Sequence, residues 1–113
     1  MTAIAPLLLF QARQQGYFNF RIPALVWSRG VLLAFCAARY GNGDDWASSD
    51  LVVRRSLDGG EHWEDLRVLA GDGQAPHDNA APISARDGML HLLYGVGSSR
   101  IFYRRSMDDG ATF

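Results

Sequence analysis

The chain has 113 residues, of which 48% are hydrophobic and 20% charged, the proportions of a globular domain rather than a disordered segment. A formal net charge of −1 and the lack of any basic run exclude the field that draws nucleic acid or an anionic membrane, so neither partner is expected. All 11 basic residues are arginine; this usage suits bidentate anion recognition, but composition bias produces it too, so residue type alone singles out no arginine.

From the N-terminus, Met1 to Phe10 carries no basic leader, an apolar run too short for a signal core and nothing long enough to span a membrane. Beyond it, short runs rich in aromatic and branched residues alternate with glycine and proline, which predicts strands and turns and an all-β fold. Phe20-Arg-Ile-Pro23 comes first, then the apolar run Val31 to Ala38, closed by Arg39. The single cysteine, Cys36, lies inside that run and reads as a small buried apolar group rather than a nucleophile. The loop from Tyr40 to Asp50 offers carboxylates at Asp44, Asp45 and Asp50. Leu51 to Val53 is the next strand signal, followed by a turn-rich stretch and a second loop, Gln74 to Ile83, which contains Asp78. Met89 to Tyr94 and Ile101 to Tyr103 are the last two apolar runs.

An internal repeat organises these elements. Residues 54–63 read Arg-Arg-Ser-Leu-Asp-Gly-Gly-Glu-His-Trp and residues 104–113 read Arg-Arg-Ser-Met-Asp-Asp-Gly-Ala-Thr-Phe, an offset of 50 residues. An apolar run leads into each copy and a longer one precedes it, so each unit holds several short strands. A period near 50 with about four strands per unit is the size of a propeller blade; leucine-rich, ankyrin and tetratricopeptide repeats are shorter and carry helices. Within the motif, Ser and Asp supply acceptors for turn N–H groups, Gly permits positive φ, and the final aromatic can tuck beneath. Ser56, Asp58, Gly60 and Trp63, with Ser106, Asp108, Gly110 and Phe113, are therefore expected to fold the chain, with Trp63 buried against its own unit.

With these motifs in place, the sequence resembles the sialidase (neuraminidase) family. The segments 56–63 and 106–113 resemble its Asp boxes, and Phe20-Arg-Ile-Pro23 matches its Phe/Tyr-Arg-Ile-Pro motif. The run from Leu32 to Arg39, the Asp-rich loop and Asp50 to Ser56 follow in the family's order, from about residue 8 to the end. The resemblance implies blades of antiparallel strands, about two of a six-bladed β-propeller, and residues 1–113 as the N-terminal, truncated part of that domain. It implies an exo-α-sialidase, a glycoside hydrolase removing terminal sialic acids from glycoconjugates, with no cofactor.

Sialic acid carries a carboxylate on its anomeric carbon, which a guanidinium fork binds bidentately. The resemblance assigns Arg21 to that clamp; the structural alternative is a strand-edge Arg bonded to a carbonyl or a neighbouring Asp. Glycoside cleavage needs a general acid, and retaining sialidases use a Tyr nucleophile. In the family that this sequence resembles, the loop Asp commonly falls nine residues before the first Arg of the pair that here is Arg54-Arg55, which implies Asp45 as that acid, whereas counting five forward from Arg39 selects Asp44. The first count is preferred, leaving Asp44 as a substrate contact or turn former, and Asp50 to tie the loop down. Arg39 is expected to bond sugar hydroxyl or acyl groups, or else to cap strand carbonyls. Asp78 is a candidate sugar contact in a segment that also reads as a plain Asp-Asn turn. His62, His77 and His91 are scattered without ligand spacing, so no metal site is expected.

The Tyr nucleophile, its activating Glu and two further clamp arginines have no counterpart after residue 83, so the remaining blades are needed to complete a site for a sialylated glycan. The competing expectation is a non-catalytic Asp-box module that binds glycans or protein partners.

Overall fold

A computed structural model describes residues 4–113, which form seven strands and no helix. The strands are β1 (Asn19–Ser28), β2 (Val31–Arg39), β3 (Ser49–Ser56), β4 (Arg67–Ala70), β5 (His77–Ser84), β6 (Leu90–Val96) and β7 (Arg100–Ser106). They build two antiparallel sheets, one of four strands in the order β1-β2-β3-β4 and one of three in the order β5-β6-β7. Neither sheet closes on itself.

Local chemistry explains the hairpins. Ser28 pairs with Val31 across Arg29 and Gly30, whose φ values of 46° and 88° fit the turn whose twist matches paired strands. In the second sheet β6 turns into β7 through residues 97–99, where the first sheet has the much longer loop 40–48 between β2 and β3. The repeat thus departs from itself at the loop that holds Asp44 and Asp45.

The core lies between the sheets. Leu33, Phe35, Leu51 and Val53 on one side meet Leu90, Leu92, Tyr94 and Val96 on the other. Full burial of such side chains stabilises by roughly 1.5–3 kcal/mol each, which makes this layer the main adhesive between the sheets. Phe113 closes over it, its ring meeting Phe35 edge-on at 6.3 Å. The second turn motif also grips the first sheet: Arg29 and Ser28 donate to Asp109, and Arg67 donates to the carbonyls of Gly110 and Ala111.

Central strand β2 is buried on both faces, which is why it reads as one continuous apolar run. Its second face, with Cys36, Ala38 and Val52 of β3, is covered by Tyr17 and Phe10 from the segment preceding β1. Cys36 is buried as expected; burial pushes its thiol up to about 11, and its Sγ donates to the carbonyl of Arg21 at 3.1 Å. The outward face of the second sheet stays open, with Ile83, Leu93, Ile101 and Tyr103 exposed. By register, Leu93, Ile101 and Tyr103 occupy the places that Phe35, Leu51 and Val53 fill in the first sheet.

Candidate functional site

Strand register divides the molecule into two ends. In the first sheet Leu32 pairs with Ser56 at one end of β2 and Arg39 with Ser49 at the other. At ~3.3 Å per residue the two ends are about 23 Å apart. The second sheet repeats this, with Leu90 opposite Ser106 and Val96 opposite Arg100. The turn motifs therefore sit at one end, while Arg39, the 40–48 loop and the starts of β1 and β5 sit at the other.

The two motifs form the same turn. Ser56 Oγ accepts from Gly60 N at 2.8 Å and donates to Asp58 Oδ1 at 2.9 Å, and His62 N donates to that oxygen at 2.9 Å. Ser106 Oγ accepts from Gly110 N at 2.8 Å and donates to Asp108 Oδ1 at 2.7 Å, and Thr112 N completes the set at 2.9 Å. One expectation needs correction. Trp63 is half-buried rather than buried, because its indole N–H reaches back to Gly60 O at 2.9 Å and holds the ring along the rim. The first turn connects β3 to β4; the second follows β7, and its Phe113 packs against the inter-sheet core. Asp58, Glu61 and His62 also bring ligand-type atoms within 4.8 Å of one another, at an exposed turn whose Asp58 is already bonded to Ser56 and His62.

At the opposite end, β1 and β5 carry matching irregularities. The β1–β2 register shifts between Arg21 and Ala24, with Ile22 at φ 60°, and the β5–β6 register shifts between Asp78 and Ala81, with Asn79 at φ 58°. Positive φ suits Asn but strains a β-branched Ile, and such strain persists only where its surroundings enforce it. Arg21 and Asp78 thus occupy equivalent bulge positions on the strands that bring the two sheets together, since β5 packs against β1. Arg21 is exposed, and its guanidinium makes no hydrogen bond or ion pair among the described residues.

Arg39 is the buried centre of this end. Its Nη1 donates to Gly43 O at 3.0 Å and lies 3.1 Å from Asp45 Oδ1. Asp78, half-buried, has its carboxyl pushed up by burial, with the charges of Arg39 and His77 opposing and that of Asp45 adding to the rise. Arg39, Asp45 and Asp78 therefore share one electrostatic neighbourhood. Asp44 does not join it: its Oδ1 accepts from Trp46 N at 3.0 Å and its own N–H donates to Asn42, a local turn. Asp50 also faces away, buried and bonded to the hydroxyls of Tyr17 and Tyr40.

Sequence reasoning passed over Asn19, which donates to Gly43 O at 3.4 Å and whose Oδ1 is buried with no partner. Its signal was its place, two residues before Arg21 and opposite Arg39 by register. Tyr17 and Tyr40 were passed over as well. Nothing in a local pattern joins residues that far apart, although Tyr40 directly follows Arg39.

Chemically, this end offers an unpartnered guanidinium, a buried guanidinium beside a solvent-facing carboxylate, and a second carboxyl whose pKa burial raises. No protein-family model matches the sequence.

Proposed function

We propose that the chain supplies the carboxylate-binding and proton-donating part of an exo-α-sialidase site, on two blades of a six-bladed β-propeller. The observation that carries this reading is the separation of ends: Arg21, Arg39, Asp45 and Asp78 gather at one end of the sheets, and both turn motifs lie at the other. The open face of the second sheet supports the propeller, because its equivalent in the first sheet is covered by the next sheet along.

In this reading Arg21 takes the sugar carboxylate, and its lack of a protein partner leaves all its donors to the ligand. Asp45, released from its ion pair when the sugar's polar groups engage Arg39, takes up a proton from solvent and passes it to the departing glycosidic oxygen. Asp78 contacts the sugar from the neighbouring strand. A Tyr nucleophile, its Glu and two more arginines come from further blades.

A second reading, a non-catalytic glycan- or protein-binding module, is favoured by the Arg39–Asp45 pair itself, which neutralises both charges without a ligand. Titration of the chain with N-acetylneuraminic acid and with its methyl ester, followed by backbone NMR, tests the proposal. The expected result is shifts at Arg21, the 40–48 loop and Asp78 with the acid and not the ester. Equal shifts, or none, would remove the carboxylate-clamp role.

A further inference from the structure

The 40–48 loop leaves β2 directly after Arg39 and rejoins the sheet at Ser49, and its two ends are tied by more than backbone. Tyr40, the first loop residue, donates its hydroxyl to Asp50 Oδ2 at 2.7 Å, adding to the Tyr40 N to Ser48 O bond of 2.9 Å. A third segment joins from outside the loop. Tyr17 donates to the same Asp50 oxygen at 2.7 Å, its ring 5.0 Å from that of Tyr40, while Phe18 N donates to Arg39 O at 2.7 Å. Asp50 is pressed from behind by Gly71, where a Cβ would stand 2.0 Å from Oδ1.

We propose that Tyr17, Asp50 and Tyr40 form a clamp that positions the Asp45 loop against Arg39, which makes these three positioning residues for the candidate site. The importance of the clamp for catalysis rests on the reading of Asp45 given above; its mechanical role does not.

Asp50 is only 8% exposed, and a carboxylate so placed needs donors. Two O–H donors on one anionic oxygen are charge-assisted and about twice as strong as neutral bonds. Both hydroxyls hold their protons firmly: burial first, then the bond to Asp50, pushes Tyr17 up, and the bond to Asp50 pushes Tyr40 up. Inside the loop, Gly43 N to Tyr40 O (3.1 Å), Trp46 N to Asp44 Oδ1 (3.0 Å) and Ala47 N to Asp44 O (3.2 Å) fix its shape but not its tilt against the sheet. The tilt decides whether Asp45 reaches Arg39. Clamping both ends, and bracing them with the segment before β1, sets it.

Amide hydrogen exchange and NMR of arginine side chains, on the 113-residue chain without substrate, test this. The set is wild type, Tyr17→Phe, Tyr40→Phe, Asp50→Asn and Asp45→Ala, with Ser106→Ala as a control at the far end. Each Tyr→Phe change should speed exchange at Gly43, Trp46 and Ala47 by about fivefold to tenfold relative to Leu33 and Val53, the scale of one lost hydrogen bond. It should also broaden the Arg39 guanidinium signal as Asp45→Ala does, while Ser106→Ala does neither. Unchanged loop exchange in both Tyr→Phe variants, or loop and strand amides accelerating together in them, would overturn the clamp. If Asp50→Asn fails to fold, the two Tyr→Phe variants, each one oxygen smaller, still decide the question. A positive result stands even if the sialic acid titration fails, and a negative one leaves that titration to be judged alone.

Discussion

Arg39 and Asp45 form an ion pair of unequal partners: the groups are 3.1 Å apart, yet the Arg39 side chain is 3% exposed and that of Asp45 80%. Loss of the carboxylate leaves Arg39 its bond to Gly43 O, so the cost should follow exposed pairs, below about 1 kcal/mol, rather than buried ones. Asp45→Asn should thus fold normally. In a polypeptide that also supplies the further blades, it should lower turnover of a sialyl-oligosaccharide by ~10²–10⁴-fold and that of an activated aryl sialoside far less, because a good leaving group needs little protonation. Steady-state assays on both substrates check this. Equal losses would move the proton donor to another carboxyl, and the half-buried Asp78, raised by burial, is the next variant to make.

Arg21→Ala separates binding from folding. The side chain is exposed and holds no partner, so stability should stay within about 0.5 kcal/mol of wild type by urea denaturation. Recognition of the carboxylate should nonetheless be lost, and turnover should fall on both substrate types alike. A large stability loss would place Arg21 in the scaffold instead.

Gly110→Ala probes the grip of the second turn on the first sheet. Gly110 has φ +80°, and a Cβ there would stand 2.1 Å from Leu33 Cδ2, inside the core between the sheets. Overpacking of this kind costs about 1–3 kcal/mol, and the left-handed backbone adds about 1–2 for a residue with a side chain. Thermal denaturation should show a clear fall in Tm. Gly59→Ala is the comparison: also at positive φ (+75°) but with open space around it, it should lose only the backbone part.

Much of this architecture was legible because it is written locally. The Ser-x-Asp-x-Gly spacing dictates its own hydrogen bonds, and the alternation of apolar runs with turn residues predicted an all-β chain, which forms two antiparallel sheets of four and three strands. Buried β2 announced itself as an unbroken apolar run. Of the candidate site, Arg39 and Asp45 were marked by the family resemblance, and the preference for Asp45 over Asp44 rested on that family's loop spacing; in the structure Asp44 is bonded within its own turn and Asp45 pairs with Arg39. What stayed hidden was non-local. The bonds from Tyr17 and Tyr40 to Asp50, the equivalence of Arg21 and Asp78 as bulge residues and the orphaned Asn19 oxygen depend on strand register. Register is set by side chains far apart in sequence.

The two turns differ at one titrating position, which gives a pH test of the first. Asp58 accepts the His62 backbone N–H at 2.9 Å and the ring Nδ1 lies 2.6 Å from Oδ2, whereas in the second turn Thr112 takes the place of His62, its Oγ1 donating to Asp108 at 2.7 Å. The backbone bond first, then the ring, lowers Asp58 to about 2, and the bond to Asp58 raises His62. A histidine raised on folding contributes stability that is complete below its unfolded value near 6.5 and fades as pH rises through the folded one. A lowered aspartate contributes above its unfolded value near 3.9 and fades as pH falls through about 2. Both contributions are present together between about pH 4 and 6.5. Urea midpoints at pH 5.5, 7.0 and 8.5, compared between wild type and His62→Thr, isolate the histidine from every other titrating group. The wild-type midpoint should fall from pH 5.5 to 8.5 relative to that of the variant, by a small amount that shrinks further in high salt, because the pair is exposed and screened. Parallel curves for the two proteins would show that the ring adds nothing to the turn beyond its backbone N–H.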